Sequence, residues 1–153
     1  MNFFNTRSKQ KTTANKPKDP DILKNTYDYE KMSTTDLFTL VKESADKHES
    51  IKAELVALVT EFEQIKYEQK GLTTQLDALS ERLTKNPEDL SYVEELKILD
   101  DQRKLMVEYE KLVYKANDCM KVRYTAKEDE LYKTEAIHLS SCMILAKRMS
   151  VQE

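Results

Sequence analysis

The feature that most constrains the fold is a run of fourteen positions whose spacing alternates between three and four residues. Because an α-helix turns by about 100° per residue, this spacing places all fourteen side chains on one stripe of a single long helix. Eleven of the fourteen positions are apolar, and they are Leu37, Val41, Ser44, His48, Ile51, Leu55, Leu58, Phe62, Ile65, Gln69, Leu72, Leu76, Leu79 and Leu83. Such a stripe has to be covered by other helices, so the pattern predicts helical packing and identifies no chemistry.

Composition supports an all-α fold. The 153 residues are 39% hydrophobic and 35% charged, which favours elongated helices with large solvated faces. A β-sheet protein of this length would need many more turn residues than one glycine and three prolines. We therefore predict an all-α chain, namely a long antiparallel helical hairpin resembling a coiled coil, a C-terminal helix and a disordered N-terminal arm.

Capping and turn residues predict where the helices begin and end. Hydroxyls and an acid at residues 33–36 predict a helix over 34–84. Asn86 and Pro87 predict a chain reversal and a second, antiparallel helix over 87–124.

Thr125 and Glu128 match a capping box, which predicts a break or kink and a third helix over 126–150. One continuous second helix is the alternative. The predicted organisation is a disordered basic arm and linker over 1–32, followed by one helical domain over 33–153. Tyr29, between two acids in the linker, is either incidental or part of a docking or phosphorylation segment.

The predicted second helix carries two neighbouring apolar stripes. One stripe comprises Ile98, Leu105, Tyr109, Leu112, Ala116 and Cys119, and the other comprises Leu99, Met106, Val113, Met120 and Tyr124. Two stripes exceed what a two-stranded coiled coil needs, which predicts a bundle of three or four helices, completed within the chain or by partners. Near the hairpin tip we expect Leu90, Val93 and Leu96 to face the first helix.

Two sets of residues are candidates for a partner interface. The first is the first-helix seam, represented by Ile51, Leu55, Leu58, Phe62, Ile65, Leu72 and Leu76. We expect the polar seam residues Ser44, His48 and Gln69 to restrict register and partner choice, although Gln69 would also suit an open edge of the bundle.

The second candidate set lies in the densest apolar segment, residues 136–146, which is too short to span a bilayer. Its members are Ile137, Leu139, Met143, Ile144 and Leu145. A helix that is apolar on several faces must be covered on several sides, by a partner or by its own bundle.

Charge is unevenly distributed along the chain. Residues 1–24 contain six basic and two acidic residues, whereas the other 19 basic and 26 acidic residues give a net charge of −7. Such an arm is either a solvated tail or a phosphate-binding segment for nucleic acid or an anionic membrane. The candidate phosphate contacts are Arg7, Lys9, Lys11, Lys16 and Lys18.

Catalysis, cofactors and metals are not predicted. Phosphate-binding loops and oxyanion holes usually need several glycines, and Gly71 is the only one. His138 and Cys142 have a metal-ligand spacing, but a structural zinc site needs about four ligands. Cys119 and Cys142 form no disulfide framework, so we expect free thiols in a reducing compartment.

We also expect no secretory signal and no membrane-spanning segment, which places the chain inside the cell, in the cytoplasm or the nucleus. The predicted function is that of a non-enzymatic structural or adaptor subunit that assembles with helical proteins or with itself, inside a cell or a virion. The alternative is a nucleic-acid or anionic-membrane binder that uses the basic arm.

Overall fold

The structure, a computed structural model, describes residues 27–85 and 87–151. Helix α1 spans Thr34–Lys85, α2 spans Tyr92–Asn117 and α3 spans Thr125–Ser150. A 3-10 turn, Pro87–Asp89, lies between α1 and α2, and a π-helical segment, Asp118–Tyr124, joins α2 directly to α3. The described residues contain no strand, so the predicted all-α class is confirmed. The 52 residues of α1 correspond to a length of about 78 Å.

Helix α1 begins where its capping residues predict. The Asp36 amide donates to Ser33 Oγ at 3.1 Å, and Ser33 Oγ donates to Asp36 Oδ2 at 2.6 Å. The hydroxyl thereby pairs one of the free N–H groups at the start of the helix, and the carboxylate lies near the positive end of its dipole.

Contacts between the helices run in reverse order, which confirms the antiparallel hairpin. Near the tip, Gln102 Nε2 donates to Ser80 Oγ at 3.0 Å. Farther from the tip, Lys127 Nζ lies 2.7 Å from Glu54 Oε2. As residue numbers fall along α1 they rise along the returning helix, so α2 and α3 lie successively against one long α1.

The tip differs from the sequence expectation. Helix α2 begins at Tyr92, because Ser91 and Glu94 form a capping box in which Ser91 Oγ accepts from the Glu94 amide at 3.3 Å. Residues 87–89 form only the 3-10 turn. The side chains of Val93 and Leu96 are both exposed, so the expectation that these two residues face α1 is wrong.

The chain does not reverse at Thr125. The Thr125 hydroxyl donates to the Met120 carbonyl at 3.3 Å and caps no helix. The predicted capping box is therefore wrong, and the C-terminal helix continues from α2 through the π segment instead of folding back. In a π-helix, residues five apart become neighbours, and Arg123 Nε accordingly donates to Asp118 Oδ2 at 2.9 Å.

The core forms two apolar clusters along the hairpin. The middle cluster contains Ile65, Leu112, Ala116 and Cys119, and the cluster at the end opposite the tip contains Tyr29, Leu37, Leu40 and Leu145. Tyr29 precedes α1, in the segment that the sequence assigns to a linker, and its side chain is buried. Arg148 holds this segment by donating to the carbonyls of Met32 at 2.7 Å and Glu30 at 2.9 Å. The predicted disorder of residues 1–26 lies outside the described residues.

Candidate interaction surfaces

The first-helix seam contacts the chain's own second and third helices. None of the fourteen seam positions is exposed. Among the predicted interface residues, Ile51 and Ile65 are buried, and Leu55, Leu58, Phe62, Leu72 and Leu76 are half-buried. The seam therefore supplies the α1 side of the hairpin core, and its use by a partner stays a prediction.

Two of the three polar seam residues have partners on α3. Ser44 Oγ lies 3.0 Å from His138 Nδ1, and His48 Nε2 lies 2.8 Å from Glu135 Oε1. Because a polar group withdrawn from water is costly unless it is paired, these contacts favour one register of α1 against α3. Gln69 is buried as well, and its part in setting register stays a prediction.

The two candidate metal ligands lie next to each other. His138 Nδ1 is 3.2 Å from the Val41 carbonyl and 3.0 Å from Ser44 Oγ, so this ring nitrogen faces α1. Nε2 is 3.7 Å from Cys142 Sγ, a distance that suits a weak S–H···N hydrogen bond. Within the described residues, His, Cys, Asp and Glu form no group of three or more that could hold a metal ion.

One long edge of the hairpin is lined by ion pairs that cross between the helices. Arg123 binds the Glu61 carboxylate with two guanidinium nitrogens. This hydrogen bonding holds the pKa of Glu61 below its usual range and raises the pKa of Arg123. Farther along the same edge the pairs are Lys127 with Glu54 at 2.7 Å and Lys47 with Glu130 at 3.1 Å. Exposed pairs of this kind stabilise weakly one by one, so their main effect here is to match charges along one register.

The outward surface of α2 carries several exposed apolar side chains, in contrast to that edge. We define the outer α2 face as the positions that follow one another at spacings of four and three residues on the side away from α1: Tyr92, Leu96, Leu99, Arg103, Met106, Glu110 and Val113. Tyr92 is 74% exposed, Leu96 48%, Leu99 46% and Met106 54%. Val93, Val107 and Tyr114 border this face and are also exposed.

Seven large apolar side chains are therefore exposed between residues 92 and 114. Single exposed apolar residues are normal on a protein surface, whereas several on one helix face are a candidate interaction surface. Sequence reasoning found Leu99, Met106 and Val113 as a stripe but did not extend that stripe back to Leu96 and Tyr92, because Leu96 was assigned to the side facing α1. The alternating spacing from Tyr92 to Val113 is the signal that could have revealed the whole face.

The predicted C-terminal interface divides into two parts. Leu145 is buried in the cluster opposite the tip, and Ile137 and Ile144 pack against that cluster. Leu139 and Met143 are exposed. Three of the five residues thus contribute to the hairpin core, and two remain on the surface of α3.

The candidate phosphate contacts Arg7, Lys9, Lys11, Lys16 and Lys18 lie outside the described residues. In the described part of the chain, none of the helices is both long enough and apolar enough to cross a bilayer. Comparison with protein-family models, with curated proteins and with solved structures finds no match to this chain.

Proposed function

We propose that this chain is a non-enzymatic helical subunit or adaptor that assembles with other helices, either those of partner proteins or its own. The observation that carries the proposal is the outer α2 face, an apolar surface on a helix whose opposite side already packs against α1. A helix of a partner that docks on this face would bury the exposed apolar side chains of Tyr92, Leu96, Leu99 and Met106.

The physical basis of binding is removal of apolar surface from water, worth about 25 cal/mol per Å². The hairpin contributes by presenting the face in a fixed orientation. Buried seam residues such as Ile65 and cross-helix polar contacts such as His48 with Glu135 hold α2 and α3 against α1. A preformed surface requires little ordering on binding, which favours affinity.

An intracellular, reducing location is part of the proposal. Both cysteines are free thiols, with Cys119 buried in the middle cluster and Cys142 half-buried on α3. The Cys119 thiol donates to the Leu58 carbonyl at 3.2 Å, which suits a small apolar core residue.

The test compares the full-length chain with a variant that carries Leu99→Asp and Met106→Asp. Val56→Asp is the matched control, because Val56 is a similarly exposed apolar residue on α1. Absolute mass is measured by size exclusion with light scattering, and proteins retained by each immobilised variant are quantified by mass spectrometry.

The proposal requires that the double variant lose self-association, or lose a retained helical protein, while the control keeps it and both stay equally helical. A chain that is monomeric and retains the same proteins in all three forms would contradict it. Leu58→Asp and Ile144→Asp are poorer tests, because both residues pack inside the hairpin and a charge there would unfold it.

A second candidate function rests on the net charge of residues 1–24, which is +4. In this alternative the arm binds the phosphates of nucleic acid or of an anionic membrane. Such binding would weaken steeply with added salt, because released counterions supply the driving force, and it would disappear on deletion of residues 1–24. Binding of DNA or anionic vesicles that is insensitive to both changes would exclude this role for the arm.

A further inference from the structure

The outer α2 face carries one basic and one acidic residue within its apolar positions. Arg103 and Glu110 lie seven residues apart, on either side of Met106. Each replaces an apolar residue at a position where a helix–helix contact would place a core side chain. The two charges therefore restrict which helix can cover the face.

We propose that the outer α2 face binds the same face of a second copy of this chain, with the two α2 helices antiparallel, so that Arg103 of each copy pairs with Glu110 of the other. The inference rests on the proposed function and names the partner for that surface.

The pairing follows from two-fold symmetry. In an antiparallel pair whose axis passes between Met106 and Val107, positions equally far from the axis on the two copies lie opposite each other. Arg103 of one copy then faces Glu110 of the second copy, and the reverse pair forms at the symmetric position. Leu99 of each copy falls beside Val113 and Tyr114 of the other, so apolar residues flank both ion pairs.

A parallel pair of the same faces is disfavoured. Its symmetry would place Arg103 against Arg103 of the second copy, and Glu110 against Glu110. Like charges at core positions of a helix pair repel and select against that orientation. The same reasoning distinguishes a second copy from an unrelated apolar helix, which would leave both charges without partners.

Both charged side chains are available for this pairing. The Arg103 side chain is 78% exposed, and its bond to Asp100, at 3.1 Å, is to a residue of the same helix. Asp100 also binds Lys104 at 2.7 Å, so it keeps a cationic partner if Arg103 moves to a second copy. Glu110 is exposed.

The extent of the face suits a stable pair. A specific interface buries at least about 1,000 Å² in total. Within the overlap of the two α2 helices, each copy contributes five exposed apolar side chains, namely Leu96, Leu99, Met106, Val107 and Tyr114. The pair therefore has ten, so roughly 100 Å² buried by each would reach this size. A fully buried aromatic side chain covers about 150–250 Å², and each copy contributes Tyr114, which lies opposite Leu99 of the other.

The experiment uses charge reversal in the full-length chain. Mass is measured by light scattering over a dilution series, and the dissociation constant is obtained from sedimentation equilibrium. We expect twice the chain mass of 17.9 kDa for the wild type at high concentration. Arg103→Glu alone and Glu110→Arg alone should each weaken the dimer about tenfold or more, because each places like charges opposite one another.

The double variant that combines Arg103→Glu with Glu110→Arg restores opposite charges across the two-fold axis and should recover the affinity to within about threefold. Lys42→Glu, an exposed charge reversal on α1, should leave the affinity unchanged. Helicity measured by circular dichroism checks that all variants are folded.

A monomeric wild-type chain at every concentration would overturn the inference. The proposed function would still stand in that case if Leu99→Asp with Met106→Asp abolished retention of a different helical protein. The antiparallel pairing would be overturned if neither single charge reversal weakened the dimer. It would also be overturned if the double variant failed to recover the wild-type affinity.

Discussion

Substitution of Ile51 by alanine tests whether the seam of α1 forms the core of the hairpin. Ile51 is 2% exposed, whereas Val56, five residues later on the same helix, is 66% exposed. Truncation of a buried Ile to Ala usually costs about 2–5 kcal/mol, as the sum of lost transfer energy and the cavity that remains. Because a two-helix layer can partly relax around the missing atoms, and because Ala favours a helix by about 0.4 kcal/mol over Ile, we expect a loss near 2 kcal/mol.

Val56→Ala is the matched control on the opposite side of the helix. It removes little packing and gains about 0.5 kcal/mol of helix propensity, so its free energy of unfolding should be unchanged or slightly higher than that of the wild type. Both values come from urea titrations followed by circular dichroism at 222 nm. Protein concentration is held constant, because self-association would add to the apparent stability. Equal destabilisation by the two substitutions would refute the assignment of the buried face.

Four further outcomes are expected. Arg148→Ala should cost about 1–2 kcal/mol and speed hydrogen exchange in the segment before α1, because that guanidinium holds the segment's carbonyls; unchanged exchange would argue against the clamp. The pKa of Glu61 is lowered in the folded chain by its guanidinium partner, so its contribution to stability is present above the unfolded pKa of about 4.3 and is lost as the pH falls. Glu61→Gln should therefore flatten the fall in the free energy of unfolding below that pH, and an unaltered slope would contradict this. A thiol reagent should modify Cys142 readily in the native chain and Cys119 only after unfolding, which peptide mass mapping can verify. Deletion of residues 1–24 should leave the number of chains in any α2-mediated assembly unchanged, as obtained from light scattering.

The long first helix and the antiparallel return could be predicted from the sequence because each depends on a repeated or strong local signal. The seam from Leu37 to Leu83 repeats over fourteen positions, and Pro87 interrupts the helix close to where the chain reverses. Local signals were insufficient where two sites carry the same pattern. Ser91 with Glu94 and Thr125 with Glu128 both match a capping box, but only the first pair lies where free N–H groups need partners.

Contacts between distant segments left no comparable trace in the sequence. Arg148 binds backbone carbonyls of the segment before α1, and a carbonyl is present at every residue. The partners of Ser44 and His48 could not be identified from the sequence either. The sequence indicated His138 only as a candidate metal ligand and gave Glu135 no role, whereas the antiparallel register places both opposite the seam.

The π segment explains part of the pattern of two apolar stripes on the second helix. In α2 and at the start of the π segment, the residues toward α1 recur every seven positions, at Ile98, Leu105, Leu112 and Cys119. The same series continues in α3 as Lys127, Thr134 and Ser141, after a step of eight. A π segment adds one residue to a turn, which accounts for the step. The neighbouring stripe that begins at Leu99 and Met106, extended by sevens, coincides with this α3 series.

Two stripes on the second helix therefore do not by themselves demand a third or fourth helix. Part of the pattern arises because the π segment rotates the second stripe toward α1. Val113, just before that segment, and Met120, within it, are accordingly half-buried. Leu99 and Met106 lie well before the π segment, where the helix has not yet turned this stripe toward α1. Both side chains are therefore exposed. Exposed apolar side chains also occur elsewhere, for example Leu139 and Met143 on α3. On the outward side of α2 they share a face with Arg103 and Glu110, and these two charges restrict which helix can bind there.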